Sequence, residues 1–231
     1  MTARVDEETK TIDMTRVNHT LLGVIEKKVL LFLASKTPAW IGPNGLTFIG
    51  FLGAVFALIG YWLSSYNHNY LWLACFGWLA NWYGDSLDGT LARYRKIEKP
   101  QFGFYIDHNC DALSVFVFGV GFGLSPYVRL DVSMLLLIAY LLMSIQTYVY
   151  TCSTGIFQIS YTKLGATEFR LMVILITVGL YFFKFPVMTL FNQILSVMDI
   201  LLLIPFTIMM ILYIMTILKN GVRLYRAENN K

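Results

Sequence analysis

Six long apolar runs govern what this chain can become. They cover Leu46–Ser64, Tyr70–Leu91, Phe104–Gly123, Val132–Thr151, Arg170–Phe185 and Gln193–Leu218. A run of about 18 apolar residues or more is long enough to cross a bilayer as a helix, which satisfies its own backbone hydrogen bonds in hydrocarbon. The second run ends in a charged stretch and the third begins in one. The fifth is short and fits by tilting or by snorkelling of its flanks. Hydrophobic residues make up 57% of the chain, above the roughly 45–50% of soluble domains. The expectation is an all-α integral membrane protein with six transmembrane helices.

Charge placement orients those helices. The segments that precede the first run, join the second to the third, join the fourth to the fifth and follow the sixth hold sixteen Lys and Arg residues. The opposite connections hold two, Arg129 and Lys184. Positive residues stay on the cytoplasmic side. Both termini and the Arg93–Gly103 loop are therefore expected there, in a multi-pass protein. The N-terminus, MTARVDEETK, lacks the basic and apolar regions of a signal peptide.

Three segments follow from this reading: residues 1–45 as a cytoplasmic N-terminal segment, residues 46–219 as a six-helix catalytic domain, and residues 220–231 as a cytoplasmic tail. Within the first, Leu21, Leu22, Ile25, Val29, Leu30 and Phe32 fall near one helical face, with Glu26, Lys27 and Lys28 opposite. This is the pattern of an amphipathic helix lying on the membrane surface. Cys75, Cys110 and Cys152 have no metal-ligand spacing and read as packed free thiols. Tyr61, Trp62, Tyr66, Tyr70 and Trp72 bracket the turn opposite the basic side and read as an interfacial belt. Asp199 is an unusual acid inside the sixth run; a place across a dimer or beside a cavity would account for it.

The chain has fourteen acidic residues, and four of them crowd around the second and third runs. Asp85 and Asp88 are spaced i, i+3, with Gly89 and Ala92 continuing their face. Gly103, Asp107 and Asp111 are spaced i, i+4, i+8. Two helices joined by a short loop are antiparallel neighbours, so the four carboxylates converge at one cytoplasm-facing site. Carboxylates at membrane depth are costly and mark function. Four converging charges need a cation, and oxygen-only ligands favour hard divalent ions, Mg²⁺ or Mn²⁺, with room for two. Gly89, Ala92 and Gly103 leave space for a base or a diphosphate, and Arg93 offers a planar fork for phosphate. Arg95, Lys96 and Lys99 read as the positive loop.

The pattern Asp85-x-x-Asp88-Gly89-x-x-Ala92-Arg93, then nine residues, then Gly103-x-x-x-Asp107-x-x-x-Asp111, resembles the signature of the CDP-alcohol phosphotransferase family at all eight positions. The resemblance implies a membrane enzyme of phospholipid biosynthesis that moves a substituted phosphate from a CDP-linked donor to an alcohol and releases CMP. It implies Asp85, Asp88, Asp107 and Asp111 as metal ligands, Asp111 also as a general base, and Gly89, Ala92, Arg93 and Gly103 around the nucleotide. Homodimers are frequent among such enzymes.

The branch within the family is read from smaller cues. Pro43-Asn44-x-x-Thr47 resembles a stretch of choline/ethanolamine phosphotransferases and several phosphatidyltransferases, and it adds Asn44 and Thr47 near the nucleotide. Asp107-His108-Asn109-Cys110-Asp111 is similar to a segment of the choline/ethanolamine branch, which implies His108 as a base and Glu168 as its partner. Asn109 departs from the glycine of that segment, and the chain is shorter than the eukaryotic enzymes. The leaning is to a CDP-aminoalcohol with diacylglycerol. The alternative is a phosphatidyltransferase using CDP-diacylglycerol with inositol phosphate, glycerol phosphate or serine, in which Arg170 binds an acceptor phosphate; Arg170 could equally anchor its helix at the interface. A membrane prenyltransferase would carry two similar Asp motifs on more helices. A small transporter would spread acids through the membrane, whereas here only Asp199 lies away from the cluster. Nothing in the chain points to nucleic acid.

Overall fold

The computed structural model describes residues 22–154, 165–183, 187–190 and 193–229. Seven helices occur among them: α1 (Gly23–Lys36), α2 (Pro43–Leu63), α3 (Tyr70–Arg95), α4 (Pro100–Leu124), α5 (Leu130–Thr154), α6 (Ala166–Phe182) and α7 (Val197–Asn229). The last six fall on the six apolar runs, shifted by a few residues at their ends except for α7, which ends well beyond Leu218. Helices α2, α5 and α7 are long and apolar enough to cross a membrane. Helices α3 and α4 carry the charged motif, and α6 has only 17 residues. These apolar helices are those of a membrane protein.

Punctuation sets the helix ends. Pro43 and Pro100 sit at the starts of α2 and α4, where a missing N–H costs nothing. Helix α3 ends at Lys96, whose φ of 56° is left-handed. Ile97 N there donates to Ala92 O, and Lys96 N to Arg93 O, the closure that ends many helices. The four residues from Lys96 to Lys99 make the short loop that the sequence required.

Small residues fix the closest packing. A Cβ on Gly53 would lie 2.4 Å from Asn81 N, on Gly77 2.4 Å from Ala57 N, and on Gly84 2.3 Å from Gly50 N. Backbone meets backbone along the α2–α3 seam, as small-residue spacing permits in membranes. Asn81 Nδ2 bonds Gly50 O across it at 3.0 Å. Helix α4 also packs on α2, where Gly121 is too close to Leu58 to admit a Cβ. Trp78 and Phe118 stack at 3.6 Å between centroids. Helix α6 packs on α3, α5 on α4, and α7 on α5.

A buried relay ties α2, α3 and α6 together. Trp78 Nε1 donates to Tyr61 Oη at 3.0 Å, Tyr61 Oη meets Thr177 Oγ1 at 2.6 Å, and Thr177 Oγ1 donates to Val173 O at 2.8 Å. Tyr61 is fully buried, so it leaves the expected aromatic belt; Trp62, Tyr66, Tyr70 and Trp72 remain exposed. Among the cysteines only Cys75 is packed in the core, and Cys152 is exposed.

Three further expectations change. Helix α1 exists, and part of its expected apolar face, Leu30, packs on the protein. Leu30 and Ala34 are buried against Leu46, Leu87 and Leu91, while Ile25, Val29 and Phe32 are exposed. Glu26, read as part of the polar face, accepts from Trp82 Nε1 at 3.3 Å and from the Thr167 hydroxyl. Half-buried donors on α3 and α6 draw the carboxylate inward. Leu21 lies outside the described residues.

The sixth run also begins differently. Gln193–Ser196 is a strand, β2, paired antiparallel with β1 (Val187–Leu190), and α7 starts only at Val197 and continues to Asn229. Helical structure therefore runs on from the last apolar run into the expected tail. Asp199 sits in the first turn of this helix, not in its depth. Its Oδ2 accepts from Ser196 N at 2.7 Å, and Ser196 Oγ accepts from Asp199 N at 3.0 Å. This reciprocal pair caps α7. Asp199 Oδ1 accepts from Arg129 N at 2.8 Å, fixing the α4–α5 connection.

Candidate active site

The carboxylates come from the end of α3 and the start of α4. One oxygen each of Asp85, Asp107 and Asp111 lies within 4.8 Å of the other two. Ligand distances of about 2.0–2.6 Å around a hard cation put opposed oxygens roughly 4–5 Å apart, so the three fit around one divalent ion. Asp88 is not in this triangle. It is held beside it, 9% exposed, with Oδ2 accepting from Thr47 Oγ1 at 2.6 Å and Oδ1 from Gly89 N at 2.5 Å. Convergence is thus threefold, with the fourth carboxylate drawn to the α2 side.

The spacing produces this directly. One helical turn separates Asp85 from Asp88, and another separates Asp107 from Asp111. Thr47, read as a polar contact near a nucleotide, bonds the cluster's own Asp88. Asn44 is exposed in the first turn of α2.

The small residues leave open space. A Cβ on Gly103 would meet nothing within 4 Å, and one on Gly89 only the Arg93 guanidinium at 3.5 Å. Arg93 is exposed and donates to Thr90 Oγ1 at 3.3 Å. Ala92 lies between them on the last turns of α3. The result is a shallow floor beside the acids with a guanidinium at its rim.

His108 and Glu168 occupy different settings. His108 Nδ1 lies 3.0 Å from Phe104 O, which only accepts, so Nδ1 is the donor in this contact. The imidazole lies beside Phe104 at 4.1 Å and edge-on to Tyr148 at 5.8 Å, and its Nδ1 is 3.8 Å from Asp107 Oδ2. Glu168 closes the start of α6, accepting from Gly165 N at 3.0 Å and from Leu22 N at 2.9 Å. Its two oxygens thereby join α6 to the entry of α1.

Two arginines do more than the sequence indicated. Arg170, on α6, is buried, and its Nη2 bonds Asp85 Oδ2 at 2.5 Å. Arg95 donates to the carbonyls of Thr37, Pro38 and Ile41 at 2.9, 2.9 and 2.6 Å, clamping the α1–α2 turn to the end of α3. The signal for Arg95 was there: a turn with two prolines leaves carbonyls in need of a donor.

Residues 40–220 match the family model described as CDP-alcohol phosphatidyltransferase. The chain belongs to the CDP-alcohol phosphatidyltransferase family. No curated protein matches it. Membership makes the chain a transferase of substituted phosphate groups, which moves phosphate from a CDP-alcohol to an acceptor in phospholipid biosynthesis. Enzymes of the CDP-alcohol phosphatidyltransferase family act on lipid substrates in membranes and generally need a divalent metal. The oxygen-only cluster of Asp85, Asp107 and Asp111 is of the right chemistry for one.

Proposed function

We propose that this enzyme transfers an aminoalcohol phosphate from a CDP-aminoalcohol to diacylglycerol. Transfer takes place at a cytoplasm-facing site on a six-helix membrane domain that works as a homodimer. The observation that carries the site is the closure of Asp85, Asp107 and Asp111 to within 4.8 Å of one another. In this reading these three and Asp88 hold one or two Mg²⁺ or Mn²⁺ ions. Thr47 steadies Asp88, Asn44 lines the entrance, and Gly89, Ala92, Arg93 and Gly103 receive the nucleotide. Helix α1, with Ile25 and Phe32 exposed, rests in the membrane surface.

Bound divalent ions supply charge neutralisation of the diphosphate and of the CMP leaving group. The chain's residues do the rest. The acceptor hydroxyl oxygen attacks the phosphorus of the transferred group, and the bond from that phosphorus to the CMP oxygen breaks. The hydroxyl proton passes to a carboxylate oxygen of Asp111 or to Nε2 of His108, whose other nitrogen is engaged by Phe104 O. Arg93 orients phosphate oxygens as a planar fork. Positioning and electrostatics account for most of the acceleration.

A second reading has support of its own. Both oxygens of Glu168 accept backbone N–H groups, which makes it a helix cap before it is a partner of His108. Arg170 stands buried beside the cluster. Together they favour a phosphatidyltransferase that takes CDP-diacylglycerol and a polar, phosphate-bearing alcohol. CMP release by purified protein in detergent with Mg²⁺ separates the two. Turnover with CDP-choline or CDP-ethanolamine and diacylglycerol supports the first; turnover with CDP-diacylglycerol and inositol phosphate, glycerol phosphate or serine replaces it with the second.

A further inference from the structure

Arg170 is 9% exposed, and the two ends of its guanidinium are unequally served. Nη2 donates to Asp85 Oδ2 at 2.5 Å. Nη1 is buried with no hydrogen-bond partner among the described residues. A buried charged donor left unpaired is costly, so such a group is expected to meet an acceptor in the working state. Asp85 belongs at the same time to the triangle with Asp107 and Asp111. Its carboxylate is thus claimed by a guanidinium while it forms part of a site shaped for a dication. An oxygen that ligates a dication is a poorer acceptor for a guanidinium, and the two cations repel at this range. Freed from Asp85, Arg170 needs oxygen acceptors for both nitrogens. A phosphate offers two in the geometry of the guanidinium fork. The arginine is in the second turn of α6, and its long side chain turns without moving the helix.

We propose that Arg170 is a transferable counter-ion. It neutralises Asp85 in the metal-free enzyme and turns its guanidinium to a phosphate oxygen of the nucleotide diphosphate once Asp85 ligates a divalent cation. The proposal rests on the reading of Asp85, Asp107 and Asp111 as a metal site. It makes Arg170 a positioning residue through which metal and nucleotide affinities are linked, and such linkage is reciprocal.

The test titrates Mn²⁺ into the purified full chain in detergent, with free ion followed by paramagnetic resonance, without nucleotide and with CDP. Arg170→Gln removes the competing charge. It is expected to bind Mn²⁺ more tightly than wild type without nucleotide, on the order of tenfold, a usual size for coupling between sites. It is also expected to gain less from CDP. Arg170→Lys keeps the charge without the fork, so it should match wild type without nucleotide and gain less from CDP. Equal or weaker Mn²⁺ binding by folded Arg170→Gln, with wild-type binding intact, overturns the counter-ion role and leaves the metal site standing. Should Arg170→Gln aggregate, Arg170→Lys decides: a gain from CDP equal to wild type overturns the proposal. Absent Mn²⁺ binding in every protein, or binding that Asp107→Asn leaves untouched, defeats the metal site and the proposal with it.

Discussion

Thr47 Oγ1 donates to Asp88 Oδ2 at 2.6 Å, joining the start of α2 to the motif-bearing end of α3. The same hydroxyl lies 3.2 Å from Pro43 O, but its single proton serves the nearer, charged acceptor. Asp88 is thereby aimed at α2 and stands next to the three-carboxylate triangle. If that aim matters to donor binding, the hydroxyl and not the bulk of Thr47 is what counts. Thr47→Val is expected to lower kcat/KM for CMP release by on the order of ten- to a hundredfold, the range for losing a hydrogen bond to a charged group. Thr47→Ser should keep most activity. Thr47→Ser should melt near wild type in detergent, whereas Thr47→Val should lose about 1–3 kcal/mol, because it leaves a buried oxygen of Asp88 unpaired.

The α2–α3 seam makes its own prediction. A Cβ on Gly84 would lie 2.3 Å from both Gly50 N and Leu46 O, atoms that cannot swing aside. Gly84→Ala should cost about 3 kcal/mol or more, since the helices must part. Thermal melting and gel filtration read the loss. Gly103→Ala is the contrast: its methyl meets nothing within 4 Å, so the protein should fold normally. A fall in CMP release with a raised KM for the CDP donor would then locate the nucleotide at that open floor.

Much of this architecture was legible in the sequence. The apolar runs marked where α2 to α7 lie, and α2, α5 and α7 are long and apolar enough to cross a membrane. Helical periodicity gave the faces that bring Asp85 to Asp107 and Asp111. What was not legible depended on partners from other helices. Glu26 looks polar and outward until Trp82 and Thr167 supply donors. Asp88 separates from its fellows because Thr47 competes for it, and Arg170 looks like an interface anchor until α6 is packed on α3. Asp199 is different, since Ser196-x-x-Asp199 is a capping pattern that local reading can find. The hydrophobicity on either side of it masked the helix start.

Asp199→Ala should act on stability alone. The carboxylate is 1% exposed and accepts from Ser196 N and Arg129 N. Its removal takes away a cap and leaves buried donors unpaired, at a cost of about 2–4 kcal/mol. The melting temperature should fall while the KM for donor of the remaining folded enzyme stays put. A selective change in KM would show that the cap communicates with the site.

Tyr61→Phe tests the buried relay in the same way. Without the hydroxyl, Trp78 Nε1 loses its acceptor, whereas Thr177 keeps Val173 O. One orphaned indole N–H should cost about 1–3 kcal/mol. Turnover per folded molecule should not change, because Trp78 and Thr177 stand about two helical turns from Asp85 and Arg170 along α3 and α6.

Asp107→Asn reaches the chemistry. The side chain of Asp107 is 38% exposed, so exchanging its carboxylate for an amide of equal size leaves packing intact, and folding should survive. The exchange removes one of three converging negative charges and one oxygen suited to a hard cation. Metal-dependent CMP release should vanish, with Mn²⁺ affinity falling in parallel and no change in melting temperature. Asp88→Asn should be milder in metal affinity, because Asp88 stands outside the triangle and already spends both oxygens on Thr47 and Gly89. Equal loss of Mn²⁺ in the two variants would mean that Asp88 leaves Thr47 to join the other three when the ion binds, a rearrangement Thr47→Val would make easier.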